Sequence, residues 1–399
     1  MAQGFNLADT NVQALAKRKY GPIIENCYNG KVPHLGRVKK TYGNLGLQIE
    51  RPAPFGMIGG ASLGVKGPAN RASVGTLTMT TKSAYVTVEI DRRTKYQFKD
   101  DGAWVDAQKE VMRKCSEKFN WLMQFQLTGN GDGALGTVST VTDNGGGEYA
   151  VVITAATWIK ACWELSEYVN FGNTTDQFEI TKIVSSTRTI TVSRVSGGTV
   201  PLAGDVCYIN NGRGNAMYGL RQVLSATTGT LYGATVQERF QAYQLNAASA
   251  PISPDLLTQL IFYTTEQTGV SPDSIWMSTF NLVRLLSSVE DQKRYSLQPT
   301  SLEPRAKNLV GKISFSGIEF MGPAGAIPVM VDRFIPDTMV WAENTDQIEI
   351  AHSNQGWADD DGTTFLRNAN DGYEAYIAGY ADIMIIPTFQ GYAHTLSTT

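Results

Sequence analysis

Residues 51–71 read RPAPFGMIGGASLGVKGPANR, with five glycines and three prolines in twenty-one residues. Glycine adds backbone freedom and proline removes a hydrogen-bond donor, so neither a helix nor a central strand runs through such a stretch. A loop this long is uncommon inside a compact domain and is normally functional or disordered. Its flanks are strand-like. Leu45, Leu47 and Ile49 alternate with polar residues before it, and Leu77 and Met79 do so after it. The apolar phase then moves to Val86, Val88 and Ile90, and this change of parity predicts a bulge or bend near Lys82–Tyr85. The whole segment reads as a long two-stranded arm with a flexible tip. A lone hairpin of this kind is marginally stable in water and needs a surface to lie on. In an assembly, a neighbouring copy supplies that surface.

Downstream, after Asp100-Asp101-Gly102, comes AWVDAQKEVMRKCSEKFNWLMQFQLTG. Trp104, Ala107, Val111, Cys115, Phe119 and Leu122 recur there at helical spacing. Acidic residues precede this stripe and Gly129 follows it, as helix ends prefer. A helix over 102–128 would run roughly 40 Å at 1.5 Å per residue. Its opposite face carries Lys109, Arg113, Lys114 and Lys118, which predicts one side facing solvent or a partner.

Further outward, residues 1–40 form a mixed arm with a short helical stripe (Val12, Leu15, Ala16) that Gly21-Pro22 breaks. Residues 143–212 hold the short strands AVVIT, DQFEITKIV, RTITVSRV and GDVCYI between turn signals, and read as a small β-rich insertion. Its expected boundaries are the Gly/Asn-rich runs Asp143–Gly147 and Asn210–Gly212. Ser253-Pro254-Asp255 opens a helix with Leu256, Leu257, Leu260, Ile261 and Tyr263 on its buried side, and Gly269 closes it. A strand, SIWMS, and a second helix with Leu282, Leu285, Leu286 and Val289 follow. Residues 308–350 and 373–393 are strand-like. The fold class is mixed α+β.

Composition narrows the function. Apolar residues are 42% of the 399 and charged residues only 18%, leaving much neutral surface suited to contact with further copies. A net charge of −3 argues against a general nucleic-acid binder, and Lys17-Arg18-Lys19 reads as a solvated turn. Cys27, Cys115, Cys162 and Cys207 form no CxxC pair and are expected as reduced thiols. The N-terminus lacks a signal-like apolar segment and no run is long enough to span a membrane, so a soluble, non-secreted protein is expected.

Catalytic signatures fail on context. Gly131-Asp132-Gly133-Ala134-Leu135-Gly136 matches GxGxxG, but a helix precedes it and a strand follows, the reverse of a dinucleotide site. His34, His352 and His394 stand apart in the sequence, so no zinc site is expected. Asp359-Asp360-Asp361-Gly362 lacks the spacing of a calcium loop and reads as a solvated turn. Trp104, Trp121 and Trp276 sit in apolar-periodic segments and are expected in the core. No enzyme activity, cofactor or metal is expected.

The order of these segments resembles the major capsid proteins of tailed bacteriophages, which have the HK97-like fold. LTGNGDGALGTVSTV after the long helix, MYGLRQVL with TGTLYG, ISPDLLTQLIFYTTEQTGVSPDSIWMSTFNLVRLL, and YEAYIAGYADIMIIPTF carry the resemblance. It implies an N-terminal arm at 1–48, an extended E-loop at 49–90 and a peripheral domain at 91–135 and 345–380. The spine helix would be 102–128, and the axial domain 136–344 and 381–399. It further implies hexamers and pentamers of an icosahedral head, assembled in the host cytoplasm around double-stranded DNA that is contacted non-specifically at the inner surface. Scaffolding, portal and decoration proteins would be partners, and no membrane would be involved. Each E-loop would lie over a neighbouring subunit, with Arg51, Phe55, Lys66, Arg71 and Lys82 as contact candidates. Some relatives weld subunits through a Lys, an Asn and a Glu. Lys66, Asn368, Asn370 and Glu374 fall in the corresponding regions without a local motif, so ordinary polar contacts are expected of Lys66. A tail-tube subunit is the alternative, but such a protein does not need a roughly 40 Å helix directly after an arm.

Overall fold

The computed structural model describes residues 33–43, 48–56, 73–91, 101–172, 176–292, 319–323, 325–353, 359–360, 366–367 and 372–398. The chain enters through a short helix α1 (Pro33–Arg37) and strand β1 (Lys39–Thr41). Strands β2 (Gln48–Gly56) and β3 (Ser73–Thr80) pair antiparallel, from Gln48↔Thr80 out to Gly56↔Ser73.

The arm does not stay two-stranded through residue 90. Thr81 alone separates β3 from β4 (Lys82–Asp91), and β4 turns away to pair over its full length with β21 (Gly372–Ile385). The parity change sits at this one-residue break, just before Lys82–Tyr85. Leu77 and Met79 are buried on one side of it, and Ala84 on the other. One residue lying between the two strands flips every later side chain to the opposite face, which lets one run of chain serve two sheets.

Helix α2 (Asp101–Thr128) lies across the sheet that contains β4 and β21. That sheet also holds β1, β18 (Ile348–His352), β19 (Asp359–Asp360) and β20 (Leu366–Arg367). The expected solvated face of α2 survives only in part. Lys114 is exposed, but from Phe119 to Thr128 every side chain is buried except the partly buried Leu122. Cys115, Phe119, Met123 and Leu127 join the main core, while Trp121 and Phe125 point into a second one. The side chain of Trp104 lies outside the described residues.

That second core belongs to a closed antiparallel barrel of β5 (Ala134–Gly145), β6 (Glu148–Ile153), β7 (Tyr168–Phe171), β8 (Gln177–Val184), β9 (Thr189–Ser196) and β10 (Val206–Ile209). Closure removes strand edges. The barrel begins at Ala134, ahead of the run at 143–147 expected as its boundary. That run is instead the β5–β6 hairpin turn, with Gly145, Gly146 and Gly147 all at positive φ. The GxGxxG stretch is a helix-to-strand turn, as its context predicts, with Gly131 and Gly133 at φ of +74° and +75°.

Beyond the barrel come α3 (Leu220–Ser225) and the two-stranded β11 (Thr230–Leu231) and β12 (Ala234–Thr235). The third core surrounds a six-stranded sheet in the order β13 (Tyr243–Asn246), β22 (Gly391–His394), β17 (Val340–Glu343), β14 (Ser274–Met277), β16 (Gly325–Val331) and β15 (Glu319–Gly322). Helices α4 (Pro254–Thr268) and α5 (Thr279–Gln292) accompany it. The cap reading of α4 holds in detail: Ser253 Oγ accepts from Leu256 N at 3.2 Å, Pro254 occupies the first turn, and Gly269 closes the helix at φ +76°. Tyr263, expected on the buried side, is 48% exposed.

Candidate assembly arm and its anchorage

The arm is a ribbon of two strands, and among the described residues β2 and β3 pair only with each other. Pro52 and Pro54 stand two apart in β2, so both missing donors fall along one edge. The edge away from β3 is the one that tolerates them, and this blunts it against indiscriminate strand pairing. The root of the ribbon is set into the body. Ile49, Leu77 and Met79 are at most 5% exposed and belong to the main core. Thr78 N donates to the carbonyl of Tyr232 at 2.8 Å.

Polar contacts fix the same root. Arg51 Nη2 pairs with Glu349 Oε1 at 3.0 Å, and Thr41 Oγ1 donates to the same oxygen. Burial pushes the Glu349 carboxyl up, but the Thr41 hydroxyl and the Arg51 guanidinium outweigh it, and the group ends below its ordinary value. Of the five contact candidates, Arg51 is thus held by its own chain rather than standing at the tip. Lys82 lies in β4 opposite Ala381, off the ribbon, and its Nζ donates to the Gly214 carbonyl at 3.4 Å. Phe55 lies in β2 with its side chain outside the described residues, as are Lys66 and Arg71 altogether.

A groove of about 730 Å³ runs between β4, α2 and the loop before β7, lined by Lys82, Tyr85, Lys118, Leu122 and Leu165 among others. Among the described residues β4 pairs with β21 alone, so its other edge borders this groove. Lys118 spans it: its Nζ lies 2.8 Å from Glu164 Oε2, 3.0 Å from Glu167 Oε1 and 3.6 Å from the Trp121 ring centroid. Burial raises the Glu167 carboxyl, and Lys118 partly offsets that rise. The ammonium thereby ties the barrel to the long helix. Phe262, Tyr263 and Val283 are about half exposed on α4 and α5.

One buried cluster has no counterpart in the sequence reading, where His34 stands alone. The ring of His34 is fully buried and stacks on Trp276 at 4.1 Å. Its Nδ1 meets Asp332 Oδ2 at 3.1 Å and its Nε2 meets Glu343 Oε2 at 2.9 Å. Gln124 of α2 closes the set by donating to Asp332 while accepting from Leu35 N at 3.1 Å. The partners lie 298 and 309 residues away, so no local pattern could have signalled them. Cys115, Cys162 and Cys207 are buried, and Cys27 is outside the described residues. No described helix is long and apolar enough to cross a membrane.

No protein-family model matches this sequence, and no curated protein sequence matches it either. Solved structures do. The Cyanophage A-1(L) capsid asymmetric unit superposes with a TM-score of 0.51 at 11% identity, covering 92% of this chain and 93% of that one. The SrpI encapsulin of Synechococcus elongatus gives 0.45 at 8% identity, over 91% and 86%. The capsid of a native GTA particle gives 0.44 at 9% identity, over 93% and 89%. The likeness to the cyanophage capsid shows the fold, which is the mixed α+β HK97-like fold that the order of segments implies.

Proposed function

We propose that this chain is a major capsid protein of the tailed-bacteriophage kind. It is a structural subunit that assembles with copies of itself into the hexamers and pentamers of an icosahedral head enclosing double-stranded DNA. The observation that carries the reading is the ribbon β2–β3. Its root is built into the main core, while its two strands have no third strand beside them among the described residues. A ribbon of that kind is stabilised by lying on something else, and the fold it projects from is one found in a capsid.

On this reading the N-terminal arm passes through α1 and β1, and β2–β3 is the E-loop. The sheet of β4, β18 and β21 under the spine helix α2 is the peripheral domain, so β4 joins that domain rather than the E-loop. The sheet of β13–β17 and β22 with α4 and α5 is the axial domain, and its half-exposed Phe262, Tyr263 and Val283 face other copies. The barrel is an insertion at the base of the axial domain. Scaffolding, portal and decoration proteins are the further partners, DNA contacts are non-specific, and the protein resides in the virion after assembly in the host cytoplasm.

Negative-stain microscopy of the expressed chain, alone and with a co-expressed scaffold, tests this directly. Closed shells or curved sheets are expected. Tubes would point to a tail-tube subunit, and discrete monomers under both conditions would sink the proposal. Boiling purified particles in detergent is expected to give the monomer band alone, because contact area rather than a covalent bond holds the arm. A ladder of higher bands would show that Lys66 or another lysine is welded to its neighbour.

A further inference from the structure

The segment from Pro33 to Thr41 meets the body through a group of opposite charges that is shut off from water. His34 is fully buried, Glu343 likewise, and Asp332 is 5% exposed. The groups that face the ring come from four places. Asp332 follows β16, Glu343 ends β17, Gln124 is the neutral contribution of α2, and the Trp276 and Trp341 rings come from β14 and β17. From α1 itself, Arg37 points to solvent.

Only a protonated imidazole has two N–H donors, one for each carboxylate. The neutral ring has one, so one carboxylate would face a nitrogen lone pair at about 3 Å inside the core. The two acids are unequal in this respect. Asp332 has further donors in Gln124 Nε2 and in the Phe334 N–H at 2.9 Å. Glu343 is bonded by His34, and among the described residues its Oε1 has no hydrogen-bond partner.

We infer that His34 is a proton-operated latch for the N-terminal segment. Carrying its proton, it bridges Asp332 and Glu343 and holds α1 and β1 on the body. Losing the proton frees α1 and β1 and leaves the rest of the fold in place. Burial opposes charge on the ring, but Glu343 and Asp332 more than offset it and raise the imidazolium from 6.5 to about 9. A group raised on docking contributes its full stabilisation below pH 6.5 and loses it as pH climbs through about 9. The latch is therefore shut at neutral pH and opens under alkaline conditions.

Lys40 on β1 titrates in the same range with the opposite sign. Burial lowers its ammonium from 10.5 to about 8, so losing that proton favours docking. The two groups can thus be told apart. The inference concerns the chain itself and does not depend on the shell reading.

Limited trypsin digestion of the full-length chain from pH 7 to pH 10, with fragments assigned by mass, reads the latch at Arg37, Lys39 and Lys40. Rates are corrected by a reference peptide cut in the same tube. Cleavage at these three sites is expected to rise by more than about 10-fold between pH 7 and pH 10, with cuts elsewhere unchanged. His34→Gln should cut faster than the parent at pH 7 and show no further rise. Glu343→Gln leaves the ring one carboxylate and should move the transition to lower pH; it decides the matter if His34→Gln fails to fold. Lys40→Met should keep the rise at Arg37 and Lys39. A parent rate that stays flat to pH 10 overturns the latch. So does an unchanged rise in His34→Gln, an unmoved transition in Glu343→Gln, or cleavage that increases throughout the chain at the same pH.

Discussion

Removal of residues 52–70 is expected to leave a folded, soluble chain that forms no closed shells. The deletion spares the root of the ribbon, from Gln48↔Thr80 to Arg51↔Leu77, and leaves residues 71–76 to close it. The three apolar anchors Ile49, Leu77 and Met79 stay in the core, as does the Thr78–Tyr232 backbone bond. The Arg51–Glu349 pair survives as well, and Arg51 is about one-third exposed, so its own worth is small. Among the described residues, the contacts that hold the root of the ribbon to the body all remain. The unfolding midpoint should accordingly move by no more than ~4 °C, the equivalent of about 1 kcal/mol in a domain of 150–250 residues. Assembly should instead fall from shells to none, because each lost tip is one lost contact on every neighbour. Size-exclusion chromatography with microscopy reads both outcomes. Shells formed by the shortened chain would show that the tip does not hold copies together. Insoluble chain would show that the tip packs on its own body.

The same ribbon shows what a sequence can and cannot carry. The glycines and prolines of 51–71 have no place in a compact core, so the arm is legible from composition alone. The parity change after Met79 was legible too, but its consequence was not. Periodicity says which face of a strand is buried, and is silent about which strand lies alongside, so the pairing of β4 with β21 was out of reach. The ends of α4 were readable because Ser253, Pro254 and Gly269 act on backbone groups within four residues of themselves. The His34 cluster lies at the other extreme. Its members are drawn from α1, α2, β17 and the turn after β16, and none is unusual where it stands. The charged stripe on α2 misled for a related reason. Lys118 looks like a solvated residue, and only the fold brings Glu164 and Glu167 up to it.

Trp121→Ala is expected to cost about 3–5 kcal/mol, the range for truncating a large buried aromatic side chain. Trp121 is 4% exposed and sits where the long helix plugs the barrel. Its ring stacks on Phe125 at 5.6 Å and meets Phe334 edge-on at 5.9 Å. Its Nε1 donates to the Ala161 carbonyl at 2.9 Å, and Lys118 lies over its face. Truncation therefore opens a cavity and orphans a carbonyl at one stroke. It also removes the surface on which the barrel's interior closes, since Trp121, Phe125 and Phe334 belong to the same apolar cluster as Phe171, Phe178 and Ile190. The barrel is thus not a self-sufficient unit despite its closed ladder of strands. A fragment of residues 132–212 should lack a cooperative urea transition, because its open end would expose the side chains that α2 covers. Equilibrium unfolding of the full chain, followed at once by a barrel probe and a helix probe, should show both signals shifted together by Trp121→Ala. A cooperative fragment, or a loss confined to one probe, would mean that helix and barrel fold as separate units and that α2 merely rests against the barrel.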